Sequence, residues 1–181
     1  TIFTHFAESF YELNGKRWGI IGLGNIGRKV AKIAETFGAE VVYASASGSA
    51  PQEGYHQVDL NTLLRTSDII SVHAPLDQNT EDLIDARAFQ KMKKSCIFLN
   101  LGRGPIVVEE DLAEALESGE IQAAGLDVLR EEPMSPDNPL QRIRDSRRLF
   151  ITPHIGWASI ESRTRLMEII QGQIEEFFCQ R

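Results

Sequence analysis

Only two cysteines occur in the 181 residues, Cys96 inside an apolar run and Cys179 near the end. Such a pair makes no disulfide framework and its spacing offers no metal site. Both are therefore expected to be reduced thiols of a cytoplasmic protein, Cys96 as plain core. No apolar run approaches the roughly 18 residues of a membrane-spanning helix. Positive charge is short as well: 19 Lys and Arg against 26 Asp and Glu leave a formal charge of −7, with no basic stripe. That balance argues against nucleic acid or an anionic membrane as a partner. Internal repeats and low-complexity tracts are missing too. The N-terminal stretch TIFTHFAESFYELNGK carries Glu8 and Glu12 and lacks the basic start of a signal peptide, and opening on Thr1 is what a trimmed chain would show. What is present is an ordinary globular composition, 42% hydrophobic, at a length that fits one domain.

Short apolar runs alternate with helical patterns. Strands are expected at 17–22 (RWGIIG), 40–44, 68–72, 96–100 (CIFLN), 122–128 and 149–152. Between the first two, Ile26, Val30, Ile33, Ala34 and Phe37 recur at helical spacing, and Gly38 supplies a stop. VEEDLAEALESGE opens acidic, as a helix N-terminus favours, and stops at Gly119. A long last helix follows Ser159, with Ile160, Leu166, Ile169, Ile170, Ile174 and Phe177 as its apolar side, expected to cover the sheet. Two stretches, 44–56 and 131–148, read as excursions. Strands separated by helices imply right-handed crossovers and a parallel sheet. The pattern fits an α/β fold: a doubly wound, six-stranded parallel Rossmann sheet in the order 3-2-1-4-5-6, with helices on both faces. Ligands of such sheets lie beyond the carboxyl ends of the strands, so the residues after each strand are the informative ones.

After the first strand comes GLGNIG, with Gly22, Gly24 and Gly27 in the G-x-G-x-x-G pattern. A glycine-rich turn alone is weak evidence, but this one follows an apolar strand and opens an amphipathic helix. Its glycines permit a tight turn and close backbone approach, and the helix N-terminus accepts a pyrophosphate. After the second strand the acidic residue that usually holds the ribose hydroxyls is missing: Ala44 stands there, followed by Ser45, Ala46, Ser47, Gly48 and Ser49. Ser45 is the residue expected to touch the ribose. No Lys or Arg lies between Tyr43 and Arg65 to meet a 2′-phosphate.

Arg103 sits between two glycines in NLGRGPIV, directly after the fourth strand. Glycines there keep side-chain bulk from the guanidinium, which suits close approach by a ligand. Asp127 and Glu132 follow the fifth strand and His154 the sixth. Neighbouring strands lie about 4.8 Å apart, so the three exit loops are expected within roughly 10 Å of one another. Each residue alone is readable as a surface or packing residue. Together, an arginine, a carboxylate and a histidine converging on one edge are far less readable as accident.

GLGNIG, VHAPLDQNT, NLGRGPIV, GLDVLREEP and ITPHIG together resemble the successive motifs of the D-isomer-specific 2-hydroxyacid dehydrogenases, over about residues 10 to 170. EEPMSPDNPL and HIGWAS are most similar to the glycerate dehydrogenase or hydroxypyruvate reductase branch. The resemblance implies Arg103 as the grip on substrate, His154 as the general acid and base, and Glu132 as its carboxylate partner. It implies Asp127 near the nicotinamide amide, Asn25 and Ile26 over the pyrophosphate, and Ala74, Pro75 and Thr80 beside the cofactor. Leu101, Gly102, Gly156 and His154 itself complete the expected cofactor-binding set. No metal is implied. His73 is expected to be packed in its loop, and Trp157 to be pocket wall or core.

The cofactor expected is NAD, with NADP not excluded because of Ala44. The partners implied are a small 2-oxo or 2-hydroxy acid and a second copy of the chain in a homodimer. The whole of residues 1–181 is expected to be one NAD(P)-binding domain, with residues 1–13 as a hinge-side helix and the family's substrate domain largely absent. A competing reading is an NAD(H)-sensing binding module, akin to a corepressor, without turnover.

Overall fold

The computed structural model describes residues 10–45 and 53–179. Residues 1–9 of the expected hinge-side helix lie outside the described residues, as do residues 46–52 of the serine-rich stretch. The strands are β1 (Arg17–Ile21), β2 (Glu40–Ala44), β3 (His56–Gln57), β4 (Ile69–Val72), β5 (Ile97–Asn100), β6 (Ala123–Leu126) and β7 (Leu149–Ile151). They form one sheet in the order β3-β2-β1-β4-β5-β6-β7, and every pair is parallel. The sheet therefore has seven strands where six were expected. The added strand is β3, two residues at the end of an excursion and too short for any periodicity to reveal. It takes the edge beside β2 that the six-strand order would have assigned to 68–72. That run, as β4, instead pairs with β1 from Trp18↔Ile69 to Ile21↔Val72.

Alternation along the strands sends side chains to two separate cores. Ile21, Val42, Ile70, Val72, Phe98 and Leu126 face α2 (Leu60–Thr66), α3 (Ala86–Phe89) and α4 (Glu109–Ser118), whose Leu63, Phe89, Leu112 and Leu116 are fully buried. Each such side chain contributes about 1.5–3 kcal/mol. On the opposite face Ile20, Val41 and Tyr43 pack against α1 (Asn25–Thr36). Gly38 ends α1 at φ 83°, and Gly119 ends α4 at φ 77°, as expected.

Two amphipathic expectations are corrected. The buried side of α1 is Gly27, Ala31 and Ala34, while Ile26, Ile33 and Phe37 are exposed. Small residues win because the helix lies tight against the turn before it: a β-carbon on Gly27 would stand 2.3 Å from the Gly22 carbonyl oxygen. The last helix, α5 (Ile160–Cys179), buries none of its residues and so does not cover the sheet. On the face that α1 leaves open, Phe150 of β7 is 65% exposed. No helix among the described residues is long and apolar enough to cross a membrane.

A short polar chain runs through the middle of this face. Trp18 Nε1 donates to Ser71 Oγ (2.9 Å), which is 3.1 Å from His73 Nε2. His73 Nδ1 is buried without a hydrogen-bond partner among the described residues. His73 is thus packed in its loop, and burial pushes its pKa down to about 4. The unfolded chain binds this proton near the ordinary value of 6.5, whereas the folded chain refuses it until about pH 4. Stability is therefore full above pH 6.5 and declines as pH falls towards 4. At pH 5 the loss from this residue is roughly 2 kcal/mol. Urea unfolding at pH 7.5 and pH 5 should show that difference shrinking in His73→Gln; an unchanged difference would remove His73 as its source.

Candidate active site

The carboxyl ends of all seven strands share one edge, and the expected site residues lie along it. The loop after β1 is shaped by contacts that leave no room for side chains. Gly22 (φ 91°) faces Ala74, whose backbone nitrogen would lie 2.7 Å from an added β-carbon. Gly24 differs: nothing lies within 4 Å of where its β-carbon would be. It precedes α1 in extended conformation and no side chain caps the first turn, at Asn25 and Ile26. An open, uncapped helix start beside a side-chain-free position fits a pyrophosphate.

Ala44 is buried in the core that faces α2. An acid at that position would point into apolar surroundings, whereas Ser45, the residue expected to touch the ribose, stands half-buried just past β2.

After β4, Ala74 is buried and Pro75 exposed. Thr80 is fully buried: its hydroxyl donates to the Pro75 carbonyl (2.7 Å) and accepts from Asp77 N (2.8 Å). Thr80 therefore shapes the loop from inside. Ile26, His73, Pro75, Leu101, Gly102 and Arg103 line a cavity of about 440 Å³.

Arg103 is fixed by a residue not singled out from the sequence. Asn100 closes β5 with its side chain turned in, 1% exposed. Its Nδ2 donates to the Arg103 carbonyl (3.0 Å) and its Oδ1 accepts from Gly102 N (3.1 Å). An amide ending an otherwise apolar run is the signal that could have found it. The flanking glycines also meet a packing requirement. A β-carbon on Gly104 would lie 1.9 Å from the Leu129 carbonyl carbon and 2.3 Å from Arg130 N. One on Gly102 would stand 3.0 Å from the Ala74 carbonyl oxygen. They let the arginine's loop press against its two neighbours.

Asp127 is committed to the loop after β7. One carboxylate oxygen accepts from the Thr152 hydroxyl and from Ile155 N (2.9 Å), the other from Gly156 N (2.8 Å). Partial burial pushes its pKa up, but the Thr152 hydroxyl and the Gly156 and Ile155 amides outweigh that and hold it below the usual carboxylate range. Asp127, expected beside the nicotinamide amide, also anchors the loop bearing His154. Thr152 belongs to the same anchor and was not foreseen as functional.

His154 has a left-handed backbone, φ 52°. Its Nδ1 lies 2.8 Å from Glu132 Oε2, both side chains a little over one-third exposed. Glu132 Oε1 accepts from Leu129 N (2.9 Å). The Leu129 amide, then the His154 ring, hold the Glu132 carboxyl below the usual range. Glu132 and His154 line a second cavity, of about 490 Å³, with Asp127, Leu129, Met134 and Thr152. Trp157 is 54% exposed and so is not core. The expected catalytic set is thus joined in two parts: Glu132 and His154 touch, and Arg103 is tied to them through Gly104.

Residues 3–156 match the model of the D-isomer specific 2-hydroxyacid dehydrogenase, NAD binding domain. A hydroxypyruvate reductase of Blautia hydrogenotrophica is 45% identical over 168 residues, 92% of this chain and 51% of that protein. A glycerate dehydrogenase of Methylorubrum extorquens is 39% identical, over 97% of this chain and 54% of its own length. The crystal structure of a D-lactate dehydrogenase from Aquifex aeolicus, complexed with NAD and lactic acid, superposes with a TM-score of 0.87 at 26% identity, covering 97% of this chain and 58% of that one. The chain spans about half the length of the curated relatives it matches. From its glycine loop to its histidine loop, it belongs to the D-isomer specific 2-hydroxyacid dehydrogenase family as that family's NAD-binding domain.

Proposed function

We propose that this domain serves a dehydrogenase that interconverts 2-oxo and 2-hydroxy acids, hydroxypyruvate and glycerate foremost. The observation that carries the reading is the 2.8 Å contact between Glu132 and His154 Nδ1, at the carboxyl edge and next to the loop of Arg103. The substrate choice is supported by the hydroxypyruvate reductase and glycerate dehydrogenase relatives.

The nicotinamide, when bound, supplies or takes the hydride at C2. Everything else falls to this chain and to whatever closes the cleft. With Nδ1 engaged by Glu132, His154 presents Nε2 as the atom that gives a proton to the carbonyl oxygen, or takes it from the hydroxyl in reverse. Glu132 holds the ring's orientation and stabilises the imidazolium. Arg103, at the wall of its cavity, offers a planar fork to the substrate carboxylate. Gly24 and the start of α1 receive the pyrophosphate. Two free thiols, one buried and one exposed, support a cytoplasmic setting. The exposed Ile170, Ile174 and Phe177 of α5 support assembly as a homodimer.

Gly24→Val should leave the fold intact, because nothing occupies the space its side chain enters, yet calorimetry should show NADH binding severely weakened. Undiminished affinity would sink the cofactor seat. In a chain that completes the cleft, His154→Ala should lower turnover by roughly 10²–10⁴-fold with little change in NADH affinity. Wild-type turnover would remove His154 from the mechanism. Neutral donors such as Ser45 contribute about 0.5–1.5 kcal/mol, against about 1.5–3 for charged ones. NADH and NADPH dissociation constants should accordingly differ by no more than about two orders of magnitude. Ser45→Asp should widen the preference for NADH; an NADPH preference above tenfold in the wild type would overturn this account of the ribose site.

A further inference from the structure

We infer that Glu109, the first residue of α4, is a positioning residue for the Glu132–His154 pair; the inference rests on the catalytic reading of that pair. Glu109 is 8% exposed, although Glu110 beside it faces solvent. It does not cap its own helix. Its Oε1 accepts from Arg130 N (2.7 Å) and its Oε2 from Asn138 Nδ2 (2.8 Å). One carboxylate thus grips both feet of the segment 130–138, which carries Glu132. Asn138 is also 8% exposed, and its Oδ1 accepts from Leu140 N (2.9 Å), so the far foot is held on both sides.

The near foot matters most. The amides of Leu129 and Arg130 are consecutive donors, the first to Glu132 and the second to Glu109. The peptide joining these two residues is the one that Gly104 admits by lacking a β-carbon. Glu109 therefore fixes the peptide that abuts the loop of Arg103, one residue on from the Leu129 amide that holds Glu132 towards His154. Helix-dipole stabilisation does not explain its burial, since Glu110 and Asp111 occupy the same first turn. Burying a carboxylate costs free energy that an apolar residue would not, and the cost is offset here by two N–H donors. The return is geometry.

Carboxyl-carbon NMR titration of Glu132 in the 181-residue chain tests this without requiring turnover, so a failure here is distinct from a failure of the proposed reaction. The groups facing Glu132 are the Leu129 amide, His154 and, at longer range, Asp127. In the wild type Glu132 should titrate below the ordinary glutamate range. Removing the Glu109 charge alone would move Glu132 further down, because a like charge has gone. Loss of positioning moves it up. Glu109→Ala should therefore raise the Glu132 titration towards the ordinary range, and Glu109→Gln, which keeps an acceptor for the Arg130 amide, should restore a low value. Glu110→Gln should change nothing. An unchanged or lowered Glu132 titration in Glu109→Ala, whatever happens to its melting temperature, would reduce Glu109 to a structural residue and overturn the proposal. Should Glu109→Ala fail to fold, Asn138→Ala cuts the other foot and is read the same way: a rise supports the proposal and no change overturns it.

Discussion

Backbone meets backbone at successive points along the carboxyl edge of the sheet, and the site depends on those meetings. Gly27 lies under the Gly22 carbonyl, Gly22 faces Ala74, Gly102 faces the Ala74 carbonyl, and Gly104 faces the peptide of Leu129 and Arg130. At 1.9–3.0 Å from a β-carbon position, no side chain larger than hydrogen fits without movement. The loops after β1, β4, β5 and β6 are therefore stacked as one body. A parallel sheet places its exit loops in a row, but strand spacing alone leaves them free to splay. Removing the side chains between them is what lets neighbouring loops determine one another's position.

Carboxylates then finish what the glycines begin. Asp127 ties the loop after β7 through Thr152, Ile155 and Gly156. Glu109 ties the segment after β6 at Arg130 and Asn138. Glu132 links the two at His154. Asp127 and Glu109 are turned towards backbone amides rather than outward. An anion that accepts several N–H donors is worth more than a neutral acceptor, and its geometry is more restrictive. Of these three, Glu132 alone engages a group that exchanges protons in the proposed reaction. Asp127 holds the loop that carries His154, and Glu109 the segment that carries Glu132.

Much of this was legible in the chain. The glycine pattern followed an apolar strand and opened a helix, so its use as a phosphate cradle could be argued from context. Arg103, Glu132 and His154 each followed a strand, so their gathering at one edge followed from parallel topology. The helix with Ala31 and Ala34 inside and Ile33 and Phe37 outside was not legible from hydrophobicity. Its burial follows how closely a backbone can approach, and periodicity weights large side chains over small ones. Strand β3 was invisible because two residues cannot show a period. Glu109 read like Glu110, since adjacent acids in a helix's first turn look alike until one is buried.

By itself, then, the sequence determined the class of fold, the place of the glycine loop between strand and helix and the chemical types gathered beyond the strands. These depend on local order: which residue follows which strand, and at what spacing. Tertiary structure alone decided what each of those residues touches. It tied Asp127 to Thr152, Ile155 and Gly156 of the next loop, pressed the glycines around Arg103 against Ala74, Leu129 and Arg130, and buried Ala44 while leaving Ser45 half-buried beside it. Each of these outcomes is set by groups at least 25 residues away in the chain, or by which face of a strand a side chain takes. Neither is written in the neighbouring residues, because a contact between loops exists only once the sheet has brought them together.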